Sequence, residues 1–252
     1  MAETEKKIMP GCEPIFQKGN KTGVLLLHGF TGSPFEMKPL ADSLIQDGYT
    51  VSVPLLCGHG TNHDDLLKCK WDDWFNNVKE ALFEMRKNCK KVIVCGLSTG
   101  GSLALHLAAH YQIEGIVALA PGLVLKEKKS ILLPFVAPFK KYRSNNSGPD
   151  ISDSEMKKKI PVYTKTPLKA ALEIVRLYEH LRMDLPEIYS PLMLAHSRND
   201  HVVDFKSSEL IYENVSSKNK RFLKLEKSYH IITLDIEQKI LFREIKKFIN
   251  EV

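Results

Sequence analysis

Apolar positions along this chain fall into two alternating rhythms. Short unbroken runs, Gly23 to Leu27, Val92 to Cys95, Gly115 to Ala120 and Pro191 to Ala195, are strand-length and rich in β-branched and aliphatic residues, and Val51-Ser52-Val53-Pro54 is a further strand-length stretch. Runs of that kind with no polar alternation predict strands buried on both faces. Between them the apolar residues recur every three or four positions. Met37, Leu40, Ala41, Leu44 and Ile45 form one such stripe, ending at Gly48, and Trp71, Trp74, Phe75, Val78, Leu82 and Met85 form a second, within a helix expected over residues 71–88. Ile240, Leu241, Ile245, Phe248, Ile249 and Val252 form a third on a closing helix. Ser33, Pro34 and Glu36 ahead of the first stripe predict an N-cap and a capping box. The Lys18-Gly19-Asn20-Lys21 stretch between two apolar runs predicts a hairpin of residues 15–17 with residues 22–27. Strands alternating with helices predict an α/β domain with a mainly parallel central sheet covered on both sides.

The alternation breaks once. From about Gly122 to Glu187 the chain carries lysine clusters around an apolar segment, Ile131 to Phe139, then an irregular turn and two helical stretches, around Ser154 to Lys159 and from Pro167 to about Leu181. The second of these has Leu168, Ala171, Leu172, Val175 and Leu177 as its apolar residues. We expect residues 1–121 and 188–252 to form the core and residues 122–187 a small helical cap inserted between sheet strands, because long excursions within compact domains tend to serve function.

The chain has 252 residues, 43% of them hydrophobic, with a formal net charge of +6. That length suits one domain. The lysines are dispersed without interleaved aromatics, which excludes a nucleic-acid partner from the expectations. The charged N-terminus and the lack of a membrane-length apolar stretch predict a soluble, cytoplasmic protein. Five cysteines, odd in number and without Cys-x-x-Cys spacing, argue against both a disulfide framework and a zinc site. His59, His63, Asp64 and Asp65 share a loop but lack the i, i+4 helical pair of a metal site, so no metal ligand is assigned.

The chemistry centres on Gly96-Leu97-Ser98-Thr99-Gly100, placed between the Val92 to Cys95 strand and a helix from Leu103 onward. This is a nucleophile-elbow pattern, in which a strained turn pushes the serine hydroxyl clear of the sheet. A serine needs a base, and the base an orienting acid, both from loops after later strands. Asp200 follows the Pro191 to Ala195 strand, and His230 follows the last strand, Arg221 to Leu225. Serine, acid and histidine in that chain order are the order of elbow-type sites. Asp204 is the alternative acid, but it stands where a helix begins and is assigned a cap, as is Asp235 with Gln238 three residues on. Backbone N–H groups of Thr99 and Phe30, the latter in the loop after Leu27, are the expected oxyanion donors. His28 is read as bracing that loop.

His28-Gly29-Phe30-Thr31-Gly32-Ser33-Pro34, Gly58-His59-Gly60, the Ser98 pentapeptide with Gly101, and His230 to Asp235 together resemble the bacterial carboxylesterase and monoacylglycerol lipase branch of the α/β-hydrolases, over nearly the whole chain. The resemblance implies the α/β-hydrolase fold, a Ser98–Asp200–His230 triad, no cofactor, and a cap forming an acyl-binding tunnel. Tyr229 stands where that branch usually has glycine. The expected partner is a small-molecule ester, a monoacylglycerol or a short- to medium-chain alkyl ester, with transient contact to lipid interfaces through the lysine-flanked apolar segment. No oligomeric state follows from the pattern. A non-catalytic binder and an acyltransferase on the same scaffold are the alternatives.

Overall fold

The computed structural model describes residues 7–124 and 133–252. The lysines at 126, 128 and 129 and the start of the expected apolar cap segment lie outside the described residues. Strands β1 (Ile15–Gln17), β2 (Thr22–Leu27), β3 (Thr50–Val53), β4 (Lys91–Leu97) and β5 (Gly115–Leu119) precede the insertion, which contains β6 (Tyr142–Ser144) and β7 (Lys165–Pro167). Strands β8 (Leu192–Ser197) and β9 (Lys220–Leu225) follow it. Among the described residues the main sheet has seven strands in the order β1-β3-β2-β4-β5-β8-β9, every pair parallel except β1 with β3.

The hairpin expectation is corrected here. Both edges of β2 are taken by parallel partners, β3 and β4, so β1 pairs antiparallel with β3 instead, Ile15 opposite Val53. The connecting turn is drawn the same way: Gly19 N–H donates to the Thr50 hydroxyl at 2.9 Å and Asn20 N–H to Gly48 O at 2.8 Å.

The period-2 geometry of the strands explains their unbroken apolar runs. In β2, Leu25 and Leu27 enter one core while Val24 and Leu26 enter the other; in β4, Val92 and Val94 divide from Ile93 and Cys95 in the same way. One core is roofed by α3 (Trp71–Arg86) and α4 (Thr99–His110), the other by α1 (Lys38–Gln46) and α9 (Gln238–Glu251). Helix α2 (His63–Leu66) caps a loop after β3, and α8 (Lys206–Asn214) connects β8 to β9. Ile240, expected on the apolar face of α9, is exposed; Leu241, Ile245, Phe248 and Ile249 carry that face. The expected capping box at Ser33 is absent: Pro34–Met37 form a 3-10 turn without a side-chain cap, and Glu36 turns inward.

The insertion holds α5 (Leu133–Val136), α6 (Ser154–Lys157) and α7 (Leu168–Asp184), together with an antiparallel β6–β7 pair that periodicity did not reveal, each strand being three residues long. In α7 the buried side is Leu168, Ala170, Glu173, Ile174, Leu177, Tyr178 and Leu181, rotated from the expected stripe, because that side packs on α4.

Candidate active site

Ser98 sits between β4 and α4 with φ 55° and ψ −119°. A non-glycine residue holds such a backbone only where its surroundings enforce it. They do so here by close approach: a Cβ at Gly96 would stand 2.1 Å from Gly100 O, and one at Gly100 would stand 2.4 Å from Leu27 O. The Ser98 N–H donates to Leu119 O at 2.7 Å, tying the turn to β5. Thr99 opens α4, so the positive end of that helix lies beside the serine.

Asp200 and His230 leave the ends of the neighbouring strands β8 and β9 and meet directly, His230 Nδ1 donating to Asp200 Oδ2 at 2.7 Å. The carboxylate is saturated with donors. His196 Nε2 donates to the same oxygen at 3.0 Å, while Val202 and Val203 N–H groups each donate to Oδ1 at 2.8 Å. The Ser208 hydroxyl lies 2.8 Å from His196 Nδ1 and fixes that ring. Burial opposes charge on Asp200, but the His230 charge and the two imidazole bonds outweigh it and hold the carboxyl far below its usual range. Burial likewise opposes the imidazolium of His230, yet Asp200, with Asp150 and Glu36 beside it, raises its pKa above the ordinary 6.5.

Sequence reasoning missed three acidic supports of this site. Asp150, from the insertion, accepts the His230 N–H at its carbonyl (3.1 Å) and its carboxylate (3.2 Å), and its carboxylate also accepts from His201 N and Nδ1 at 3.0 and 2.9 Å. Asp235, expected to cap α9, instead accepts from Tyr229 N at 2.7 Å, from Ser152 N at 3.0 Å and from Asp153 N at 3.2 Å, joining the insertion to the histidine loop. Glu36 is buried beneath the loop after β2, where its carboxylate accepts from Gly29 N at 3.3 Å. Burial pushes its pKa up to about 7, against the pull of the Gly29 N–H and His230. A Cβ at Gly29 would lie 3.3 Å from Ser98 Cβ and 3.6 Å from Glu36 Oε2, so loop, serine and buried acid adjoin. Asp204 does act near the start of α8, accepting from Lys206 N at 3.0 Å.

The loop bearing Phe30 is braced from behind. His28 Nδ1 donates to Gly29 O at 3.0 Å and Nε2 accepts from Leu56 N at 3.2 Å; burial, with His59 nearby, lowers its pKa to about 3, so the ring is neutral. His59 packs against His28, Phe30 and Trp74. Tyr178 of α7 is buried, and its hydroxyl lies so close to Gly122 that a Cβ there would meet it, while α7 packs along α4, the helix that starts at Thr99. The Tyr229 ring lies edge-on against His201, with centroids 4.4 Å apart.

The cysteine expectation is corrected. Cys57 and Cys69 form a disulfide across the loop that holds α2, their Cα atoms 6.2 Å apart; Cys12, Cys89 and Cys95 are free and buried. Asn62, which N-caps α2 by accepting from Asp64 and Asp65 N–H, folds the loop back on itself and brings the two distant cysteines together. Among the described residues no helix is long and apolar enough to cross a membrane.

The family model described as serine aminopeptidase, S33 matches residues 18–237, from the turn before β2 to the start of α9. The chain belongs to that family. It is 33% identical over 249 residues to a thermostable monoacylglycerol lipase of Bacillus sp. (strain H-257), covering 96% of this chain and 95% of the relative. It is 30% identical over 244 residues to a carboxylesterase of Bacillus subtilis (strain 168), covering 95% and 97%. A solved chain from work on LipS and LipT, two metagenome-derived lipolytic enzymes, superposes with a TM-score of 0.93 at 32% identity, covering 98% of this chain and all of that one. The monoacylglycerol lipase of Paleococcus ferrophilus, at 18% identity and TM-score 0.82, shares the fold. The α/β-hydrolase fold expected from the sequence is the fold observed.

Proposed function

We propose that this S33 member hydrolyses carboxylic esters with an aliphatic acyl chain, monoacylglycerols or short- to medium-chain alkyl esters, through an acyl-enzyme on Ser98. The observation that carries this reading is the 2.7 Å His230–Asp200 bond at the strand ends, taken with the positive-φ Ser98 turn at the end of β4, and the full-length esterase and lipase relatives agree with it. With Nδ1 committed to Asp200, the His230 Nε2 is left to take the Ser98 proton as Oγ attacks the carbonyl carbon. The Thr99 and Phe30 N–H groups receive the oxyanion. The imidazolium so formed protonates the leaving alcohol; the ring, neutral again, then takes a proton from the water that attacks the acyl-enzyme and returns it to Ser98 Oγ as the acid leaves. No cofactor enters this scheme.

Residues 122–187 act as a lid in this reading. Phe135 and Phe139, 72% and 92% exposed, offer an apolar surface to a lipid interface or an acyl chain. A fluorophosphonate probe followed by intact-mass and peptide analysis should place one adduct on Ser98. A p-nitrophenyl ester series with 1-monoacylglycerol should be turned over with a maximum at medium or long chains, while amino-acid p-nitroanilides should not. Stoichiometric binding without turnover, or hydrolysis confined to the anilides, overturns the proposal.

The pH profile gives a second test. His230 accepts a proton only when neutral, so kcat/KM falls as pH drops through its raised pKa, and the acidic limb lies above the ordinary histidine value. Glu36→Gln removes a negative charge that favours the imidazolium, so the limb moves to lower pH. An unmoved limb would show that Glu36 is neutral across the titration of His230.

A further inference from the structure

At the far end of α4 from Ser98, two helices present ligands to one another. His106 and His110 stand four residues apart on α4 and so share one face, and Asp184 closes α7, which packs along α4. His106 Nδ1 lies 2.5 Å from Asp184 Oδ2, and His110 Nε2 lies 3.6 Å from Oδ1. One ligand atom from each residue falls within 4.8 Å of the other two, and among the described residues no other group of three histidines, cysteines or carboxylates converges in this way. Phe75 and Trp71 wall the His106 ring at 4.5 and 5.4 Å between centroids, while the His110 side chain is 48% exposed. One ligand is thus held by packing and another opens to solvent. His180, one helical turn before Asp184, rests on Trp71 at 4.8 Å, beside the cluster.

We propose that His106, His110 and Asp184 form a site for a divalent transition metal ion of the zinc type. Two imidazole nitrogens and one carboxylate are donors that suit zinc, whereas magnesium and calcium favour all-oxygen sets of six or more ligands. For Nδ1 to bind the ion, the His106 ring moves its one N–H proton from Nδ1 to Nε2 through solvent and stays neutral, Asp184 turns its freed carboxylate oxygen to the ion, and water completes the coordination. The 2.5 Å separation widens as the ion enters, since tetrahedral ligands about 2.0 Å from zinc lie roughly 3.3 Å apart; rotation of the Asp184 side chain supplies that. A helix of α4's length spans about 18 Å, so the ion sits well away from Ser98. Its effect is to clip the insertion's long helix to the helix that carries the nucleophile, which raises stability and leaves chemistry alone.

The test uses tag-free, chelator-stripped full-length protein titrated with Zn²⁺ and, separately, Mg²⁺, read by calorimetry and thermal unfolding. One Zn²⁺ per chain, a Tm that rises with Zn²⁺ and not with Mg²⁺, and at least a tenfold loss of affinity in both His110→Ala and Asp184→Asn are expected. Co²⁺ should give the visible bands of a four-coordinate ion in the parent protein alone. His110 is half exposed, so His110→Ala folds and decides the matter if Asp184→Asn does not. Absence of a Zn²⁺-dependent Tm rise, or a rise unchanged in His110→Ala, overturns the site.

Discussion

Ser98→Ala should lower kcat for ester hydrolysis by about 10⁶-fold, and Ser98→Gly should do the same while making the protein more stable. In the proposed mechanism both remove the nucleophile and leave the oxyanion donors, so the residual rate is what binding and the Thr99 and Phe30 amides supply. The two variants differ in the backbone. At φ 55° and ψ −119° a residue with a Cβ carries strain of about 1–3 kcal/mol. Alanine keeps that Cβ and leaves Tm where it was. Glycine releases the strain, offset by about 0.5–1 kcal/mol of extra chain entropy. A net gain near 1 kcal/mol corresponds to a Tm rise of about 2–4 °C at this size. Active-site-titrated kinetics with scanning calorimetry reads both quantities. An alanine variant within tenfold of the parent would remove Ser98 from the chemistry, and a glycine variant with lowered Tm would refute the strain.

Asp200→Asn should lose both activity and stability, kcat falling by about 10⁴-fold. Donors stand on both oxygens of the carboxylate, His230 and His196 on Oδ2, Val202 and Val203 on Oδ1. An amide can satisfy one pair only. With its oxygen toward the imidazoles, its NH₂ faces two backbone N–H groups; with its NH₂ toward the imidazoles, His230 must present the wrong tautomer to Ser98. The first orientation buries a donor against donors, at about 1–3 kcal/mol, and the second leaves His230 Nε2 protonated and unable to take the Ser98 proton. The linkage carries a sign. Asp200's pKa is depressed on folding, so its contribution is present above the unfolded value of about 3.9 and is lost as pH falls below it. The parent should therefore lose stability on acidification more steeply than the asparagine variant. Unfolding in denaturant from pH 7 to pH 3 measures the difference, and parallel curves would contradict it.

The sequence revealed what depends on local pattern. The buried strands, the elbow, and the loops carrying Asp200 and His230 are each announced by residues within a few positions of one another. What it concealed depends on partners far along the chain. Residues 15–17 look like half of a hairpin until the parallel neighbours of β2 are known. Asp150 lies 80 residues before the histidine it supports, and Asp235 resembles a helix cap because its true donors come from residues 152 and 153. Glu36 sits where a capping box expects it, yet tertiary burial claims its carboxylate. His106 and His110 show the i, i+4 spacing expected of a metal pair, but their carboxylate arrives 78 residues after His106, on another helix.

The attachment of Asp150 and Asp235 also bears on engineering. The stretch 150–153 is fastened to the loop of His230, the proposed base, so the insertion is not one exchangeable module. A chimera that imports a foreign lid upstream of residue 150 keeps the native acceptors for the His230 amide. A chimera that replaces the whole excursion must bring an equivalent acceptor with it, or its changed acyl preference will be confounded by a misplaced base.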